Sequence, residues 1–209
     1  MSGADFCDEF VPISETLAEV FPGVFRWECY SSKHRVDLSS HAWLKEDVLS
    51  VVDPIGLRDD LREKLLCNAA SVRIFLTSEN HLRASETWLG FGAKVWARTS
   101  AGLSKRWINE IPDDQRDWFG FEIVDLPGGA LGESALLDVE RRMAFCGDAL
   151  VNLPGRGLEV LPEKYCANQP ALRRSLNDFA KRKIEWILPA HGQPIGPKAG
   201  ELIAKLIGE

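Results

Sequence analysis

The 209-residue sequence predicts an α/β fold, with sheets covered by amphipathic helices, as one domain over residues 1–209. Short β-branched and aromatic runs end at Asp, Pro or polar clusters, as buried strands do. Segments of helical period lie between those runs, and alternation of this kind implies helices packed on sheets. No Pro/Gly-rich linker, short repeat or low-complexity tract divides the chain.

Val24 to Tyr30 reads as a strand, and Val48 to Asp53 is an apolar run stopped by Pro54. Leu57, Leu61, Leu65 and Leu66 recur at helical spacing, with Asp59 and Asp60 at the end where a helix favours negative charge. Val72 to Thr77 reads as a buried strand, followed by a helix around Ala84 to Leu89 and a strand at Lys94 to Ala97. In the second half, Phe121 to Leu126 leads into the Pro127-Gly128-Gly129 turn. Ser134 to Leu137 pairs with Met143 to Cys146 across the polar tip Glu140-Arg141-Arg142. Pro170 starts a helix with Leu172, Leu176, Phe179 and Ala180 on its apolar face, since proline needs no amide partner there. Ile184 to Leu188 is a final strand, and Pro197 opens a terminal helix.

The net charge is −6, from 31 acidic and 25 basic residues. That argues against nucleic acid as a partner, because polyanion binding relies on basic patches. Arg173-Arg174 and Lys181-Arg182-Lys183 have the spacing of a solvated helix face. Cys7, Cys29, Cys67, Cys146 and Cys166 are scattered and odd in number, as expected of reduced thiols in the cytoplasm. Residues Met1 to Asp5 lack the pattern of a secretory leader, and no apolar run approaches the ~18 residues of a membrane span. No membrane role is expected, and a homo-oligomer stays open.

Five segments, in order and at strand ends, carry a more specific signal. They are Val51-Val52-Asp53-Pro54, Thr77 to Ala84 (T-S-E-N-H-L-R-A), Pro127 to Gly132 (P-G-G-A-L-G), Phe145 to Leu150 (F-C-G-D-A-L) and Leu188 to Gly192 (L-P-A-H-G). Together they resemble the metallo-β-lactamase superfamily. Its members carry T-H-x-H-x-D-H, P-G-H-T-x-G, G-D and L-P-x-H-G at the corresponding turns. The resemblance implies a four-layer αββα sandwich with its site where loops converge at one edge of the two sheets. It also implies five histidines and two aspartates around two metal ions, usually zinc.

Carried across residue by residue, most donors are missing. The first two histidines fall on Ser78 and Asn80, the aspartate on Leu82, the next histidine on Arg83, and the P-G-H histidine on Gly129. Only Asp148 and His191 remain. Leu82 and Gly129 offer no side-chain donor, and a guanidinium is a cation without a lone pair. No metal is therefore expected. Arg83 is expected to fill the vacated volume and form an ion pair with Asp148, which would otherwise be a buried unpaired anion.

His81 sits one position out of register and is expected to face the surface or stand behind the site, since adjacent side chains on an extended or turn backbone point apart. Turned inward, it would give a site for one zinc, iron or manganese ion with Asp148 and His191. Cys146 reads as a core thiol in preference to a nucleophile, and Ser78 beside His81 lacks an acidic partner for serine chemistry. Trp107 and Trp118 flank a polar stretch; both are read as core, although one of them could line a ligand pocket. His34 and His41 receive no role. The favoured function is a non-hydrolytic pseudoenzyme binding a small molecule or protein in the old cleft, lined by Ser78, Asn80, His81, Arg83, Gly129, Asp148 and His191. The alternative is a divergent hydrolase of esters or thioesters, using one metal ion or none.

Overall fold

The computed structural model describes residues 12–208; Cys7 and the Met1–Asp5 stretch lie outside the described residues. Two large sheets form the body. The first has seven strands, in the order β2 (Ala18–Phe21), β3 (Val24–Ser31), β4 (Val36–Lys45), β5 (Val48–Val52), β7 (Ser71–Leu76), β8 (Lys94–Arg98) and β9 (Ile108–Ile111). The second has five: β10 (Asp117–Trp118), β11 (Phe121–Asp125), β12 (Ser134–Asp138), β13 (Met143–Cys146) and β16 (Trp186–Pro189). Two small pairs, β1 (Ile13–Ser14) with β6 (Gly56–Leu57) and β14 (Leu150–Leu153) with β15 (Gly157–Val160), complete the strands.

Period-2 burial separates the apolar side chains into three cores, which is what makes four layers. Val24, Trp43, Phe75, Phe121, Phe145 and Leu188 pack between the two sheets. Trp27, Leu49, Ile74, Leu76 and Val95 point to the outer face of the large sheet, where they meet Leu65 of α1 (Asp59–Leu66) and Trp88 of α2 (Ser85–Leu89). Leu137, Ala144 and Cys146 face outward from the small sheet onto Leu172, Leu176 and Phe179 of α3 (Gln169–Ala180) and Ile203 of α4 (Ala199–Gly208). Asn168 caps α3 by accepting a hydrogen bond from the Ala171 amide at 3.0 Å, with Pro170 in the first turn as expected. The basic run is a solvated face, where Lys181 pairs with Asp178 and Arg182 with Glu122.

The direction of the strands places the site. β5 and β7 run parallel in the large sheet, as do β13 and β16 in the small one. Their carboxyl ends therefore open at the same edge, where such sheets bind ligands. Backbone bonds tie the two sheets there: Ser134 N donates to Thr77 O at 2.9 Å and Ser39 N to Ala190 O at 2.8 Å.

Candidate metal centre

Four strand ends deliver the site. Asp53 follows β5, Thr77 follows β7, Asp148 follows β13 and His191 follows β16. Asp53 lies in the left-handed region at φ 51°, held there because Thr77 fastens its carboxylate. The Thr77 amide donates to Oδ1 at 2.8 Å and its hydroxyl to Oδ2 at 2.6 Å. Ser40 Oγ donates to the Asp53 carbonyl and accepts from the Ile55 amide, so β4 fixes the same turn from the other side.

A short 3₁₀ turn, Glu79–His81, carries His81 inward. The expectation that it faces outward is corrected. In a 3₁₀ turn neighbouring side chains are spread by about a third of a turn and need not oppose each other, and two buried carboxylates draw the ring in. His81 is 2% exposed. Its Nδ1 lies 2.8 Å from Asp53 Oδ2 and 2.6 Å from Thr77 Oγ1, and its Nε2 lies 3.1 Å from Asp148 Oδ1. His191 approaches the same oxygen, with Nε2 2.9 Å from Asp148 Oδ1, while its Nδ1 donates to the Asp37 carbonyl at 2.9 Å. Asn80 Nδ2 donates to the other carboxylate oxygen of Asp148 at 3.3 Å.

Arg83 does not pair with Asp148, so the expected ion pair is also corrected. Its Nη1 donates to the carbonyls of Ser39 at 2.9 Å and Asp53 at 3.2 Å. Arg83 sits at φ 38°, and those two carbonyls aim the guanidinium at backbone. The cation beside Asp148 is His81 instead. Burial pushes that imidazole down, but the charges of Asp53 and Asp148 outweigh it and lift its pKa to about 9. Burial raises Asp148 as well, yet the His81 charge and the hydrogen bonds from His191 and His81 hold it well below the usual carboxylate range.

The space in front of Gly129 is taken by the Glu133 side chain. A Cβ at Gly129, where the lost histidine would begin, would lie 2.8 Å from Glu133 Cγ. Glu133 is buried, its Oε1 accepts from the Ala149 amide at 3.1 Å, and its Oε2 has no partner among the described residues. Burial and the charge of Asp148 push its pKa to about 8, so Glu133 is a neutral acid at pH 7. Ser78 Oγ is likewise buried without a partner. A neutral carboxyl, a serine and a glycine do not make the nitrogen-rich set of a second zinc ion, so a dinuclear centre does not fit.

A single ion does fit. His81, Asp148 and His191 each present one ligand atom, all within 4.8 Å of one another. The outer nitrogen of each ring is held by an acceptor, Asp53 or the Asp37 carbonyl, the arrangement that fixes the tautomer of metal-binding histidines. Leu82, at the lost aspartate, packs into the core beneath the large sheet.

The remaining sequence candidates lie elsewhere. Cys146 is a core thiol pushed well above its ordinary pKa by burial. His41 is buried and held neutral, with a pKa near 3, by burial and the charge of Arg26. Trp107 joins the core on the helix side of the large sheet. Asp53, Thr77 and Glu133 were missed as site residues. An acid at Glu133, directly ahead of the apolar run Ser134 to Leu137, was the available signal for the last of them.

The neutral Glu133 gives a pH prediction. Its folded pKa of about 8 stands above an ordinary value near 4.5. The native state is thus favoured fully below about pH 4.5 and loses that advantage as pH rises towards 8, by up to about 1.4 kcal/mol per pH unit. Glu133→Gln should therefore fold well at pH 7 and gain stability over the parent between pH 6 and 8. Urea melts across that range check it; a parallel pH dependence in both proteins contradicts it.

A family model described as the metallo-beta-lactamase superfamily matches residues 18–198. A hydroxyacylglutathione hydrolase of Haemophilus influenzae is 24% identical over 135 residues, covering 52% of this chain and 64% of that protein. The chain thus spans about 64% of the length of that relative. Among solved structures, a metallo-beta-lactamase from Erythrobacter litoralis aligns with TM-score 0.69 at 16% identity, covering 92% of this chain and 91% of that one. The metallo-beta-lactamase FIM-1 from Pseudomonas aeruginosa, in a mono-zinc form, aligns with TM-score 0.70 at 17% identity, covering 92% and 94%. With its four layers, its site at the shared sheet edge and this match over most of its length, the chain belongs to the metallo-beta-lactamase superfamily.

Proposed function

We propose that this chain is a single-metal member of its superfamily, in which His81, Asp148 and His191 hold one divalent transition-metal ion at a site that hydrolyses an ester or thioester. One observation carries the reading: two ring nitrogens face one carboxylate oxygen, at 3.1 and 2.9 Å. With Nδ1–H of each ring given to an acceptor, each neutral ring turns a lone pair towards Asp148. One cation shared by the three groups satisfies that arrangement. Two imidazoles and a carboxylate suit zinc, iron(II) or manganese.

His81, with its pKa of about 9, must lose a proton to bind, which costs about 3 kcal/mol at pH 7. Binding of an ion would therefore release that proton, and the metal affinity should rise as the pH rises towards 9. A bound ion would supply Lewis acidity and a water of lowered pKa. Asp53 orients His81, Asn80 holds one oxygen of Asp148 and leaves the other to the two rings, and Glu133 would hinder a second ion. The likeness to a hydroxyacylglutathione hydrolase supports the hydrolytic class. The four described cysteines are unpaired, which supports placing the protein in the cytoplasm.

The second reading is a non-hydrolytic binding protein. Glu133 favours it, because its side chain stands against Gly129, where the superfamily motif carries a histidine. His81 would then remain the cation between Asp53 and Asp148.

Assays on aryl esters and S-acyl glutathiones, before and after chelation and re-addition of zinc, iron(II) or manganese, separate the two. The single-metal reading expects turnover that chelation abolishes, that one ion restores and that Asp148→Asn lacks. No turnover in any loaded form supports the binding protein.

A further inference from the structure

We propose that Leu131 and Tyr165 form an apolar lip on the metal centre that receives an uncharged, apolar acyl group. On the hydrolytic reading above, on which this rests, the substrates are esters or thioesters of apolar acids. Leu131 is 55% exposed and Tyr165 is 61% exposed. A single exposed apolar side chain is ordinary. Two of them on adjoining loops at the edge of a polar site match the composition of a substrate site, an apolar wall around a few polar groups.

Both side chains are carried by loops that are bonded to the site. The loop between β11 and β12 is clamped at Leu131, whose carbonyl accepts from the Glu79 amide at 3.0 Å and whose amide donates to Glu79 Oε1 at 3.2 Å. That clamp fastens Leu131 to the head of the 3₁₀ turn that carries Asn80 and His81. The segment 161–168 is fastened at both ends. The Leu161 amide donates at 3.2 Å to the carbonyl of Ala149, the residue after Asp148, and the amides of Ala167 and Asn168 donate to the carbonyls of Gly129 at 3.1 Å and Gly128 at 3.0 Å. Tyr165 stands between these anchors, at the end of the 3₁₀ turn Glu163–Tyr165. The two loops thus meet along Gly128 and Gly129, and between them they border Asn80 and Asp148, which are themselves hydrogen-bonded.

The lip is exposed because its backbone is fixed. Gly132 follows Leu131 at φ 70°, and a Cβ there would lie 2.5 Å from Ala101 Cβ. The loop is thus pressed on Ala101 while it is bonded to Glu79, and Leu131 is held outward. A wall set in place before binding spares the ordering cost that a mobile loop would add. The charges select against an anion. Glu79 stands against the first loop and Glu163 lies on the second, both exposed, and Asp148 is an anion at the site itself. Lys164, the one cation of residues 161–168, has its Nζ 4.7 Å from the centroid of the Tyr165 ring, and the ring face takes up its charge. An acyl chain without charge is the complementary occupant.

Steady-state kinetics of the full chain on the nitrophenyl esters of acetic, butanoic and hexanoic acids, and on the monoester of adipic acid, test this directly. The adipoyl chain is the hexanoyl chain ended by a carboxylate. With the ion that supports turnover, kcat/KM should rise about threefold per added methylene, and the adipoyl ester should fall at least about tenfold below the hexanoate. Leu131→Ser, which keeps the backbone clamp, and Tyr165→Ala should each cut the hexanoate-to-acetate ratio at least about fivefold, whereas Leu131→Met should keep it. A flat series, an adipoyl ester turned over as well as the hexanoate, or variants with the parent's ratio would overturn the lip and leave the hydrolytic reading standing. If no ester turns over, ligand-detected NMR with 2-octanone and acetone decides. Tighter binding of 2-octanone that Leu131→Ser weakens would support the lip and contradict only the hydrolytic reading; equal binding of the two ketones would overturn both.

Discussion

On the single-metal proposal, replacing His81 with Gln is expected to lower the metal content from about one ion per chain to a trace. His81 is one of three converging donors among the described residues, and a carboxamide is a far weaker ligand than an imidazole. The substitution also removes the charge between two buried carboxylates, Asp53 and Asp148, and breaking a buried pair in this way costs about 3–5 kcal/mol. A second variant separates loss of metal from loss of fold. Asp53→Asn leaves all three donors in place but gives Nδ1 of His81 a poorer acceptor, and such partners are worth about 10–100-fold in metal affinity. Elemental analysis and competitive titration with a chromophoric chelator would read both. If His81→Gln folds and keeps a full complement of metal, His81 is not a ligand.

Gly192→Ala is expected to be the most destabilising single-methyl change near the site. Gly192 sits at φ 89°, and a Cβ there would lie 2.0 Å from the carbonyl oxygen of Asn152. The left-handed backbone costs alanine about 1–2 kcal/mol. Overpacking adds about 1–3 kcal/mol, and here the obstacle is backbone, which cannot rotate aside. The carbonyl of Gly192 also accepts from Arg26 Nη2 at 2.8 Å and from Ser39 Oγ at 3.2 Å. A shift at this residue therefore disturbs the loop that presents His191. Denaturant melts should show a loss of about 2–5 kcal/mol, with metal affinity falling in parallel. A loss under 1 kcal/mol would mean that the turn has room to move.

The sequence made most of the core legible because burial imposes a period. β5, β7, β8, β11, β12, β13 and all four helices follow apolar spacing, and their observed bounds fall within about two residues of the expected ones. β4 escaped notice for a physical reason. Its centre, Ser39-Ser40-His41, is polar in composition yet fully buried, because Ser39 and Ser40 bond the loops that shape the site. Short edge strands such as β9 and β10 carry too few residues for a period to show.

At the site, motif register located Asp148 and His191 and showed which donors were gone. Register could not report direction. A 3₁₀ turn brought His81 between Asp53 and Asp148, while the two nearby carbonyls took Arg83 away from Asp148. Glu133 was invisible to the motifs because its side chain folds back onto Gly129 from outside the matched positions.

The most direct test is the metal-to-protein ratio of the full chain, purified without chelator or affinity tag, then saturated with zinc, iron(II) or manganese and desalted. One ion per chain, lost together in Asp148→Asn and His191→Ala, is the predicted result. Two ions per chain would contradict the hindrance of a second ion by Glu133, and none under any loading would contradict the single-metal centre itself.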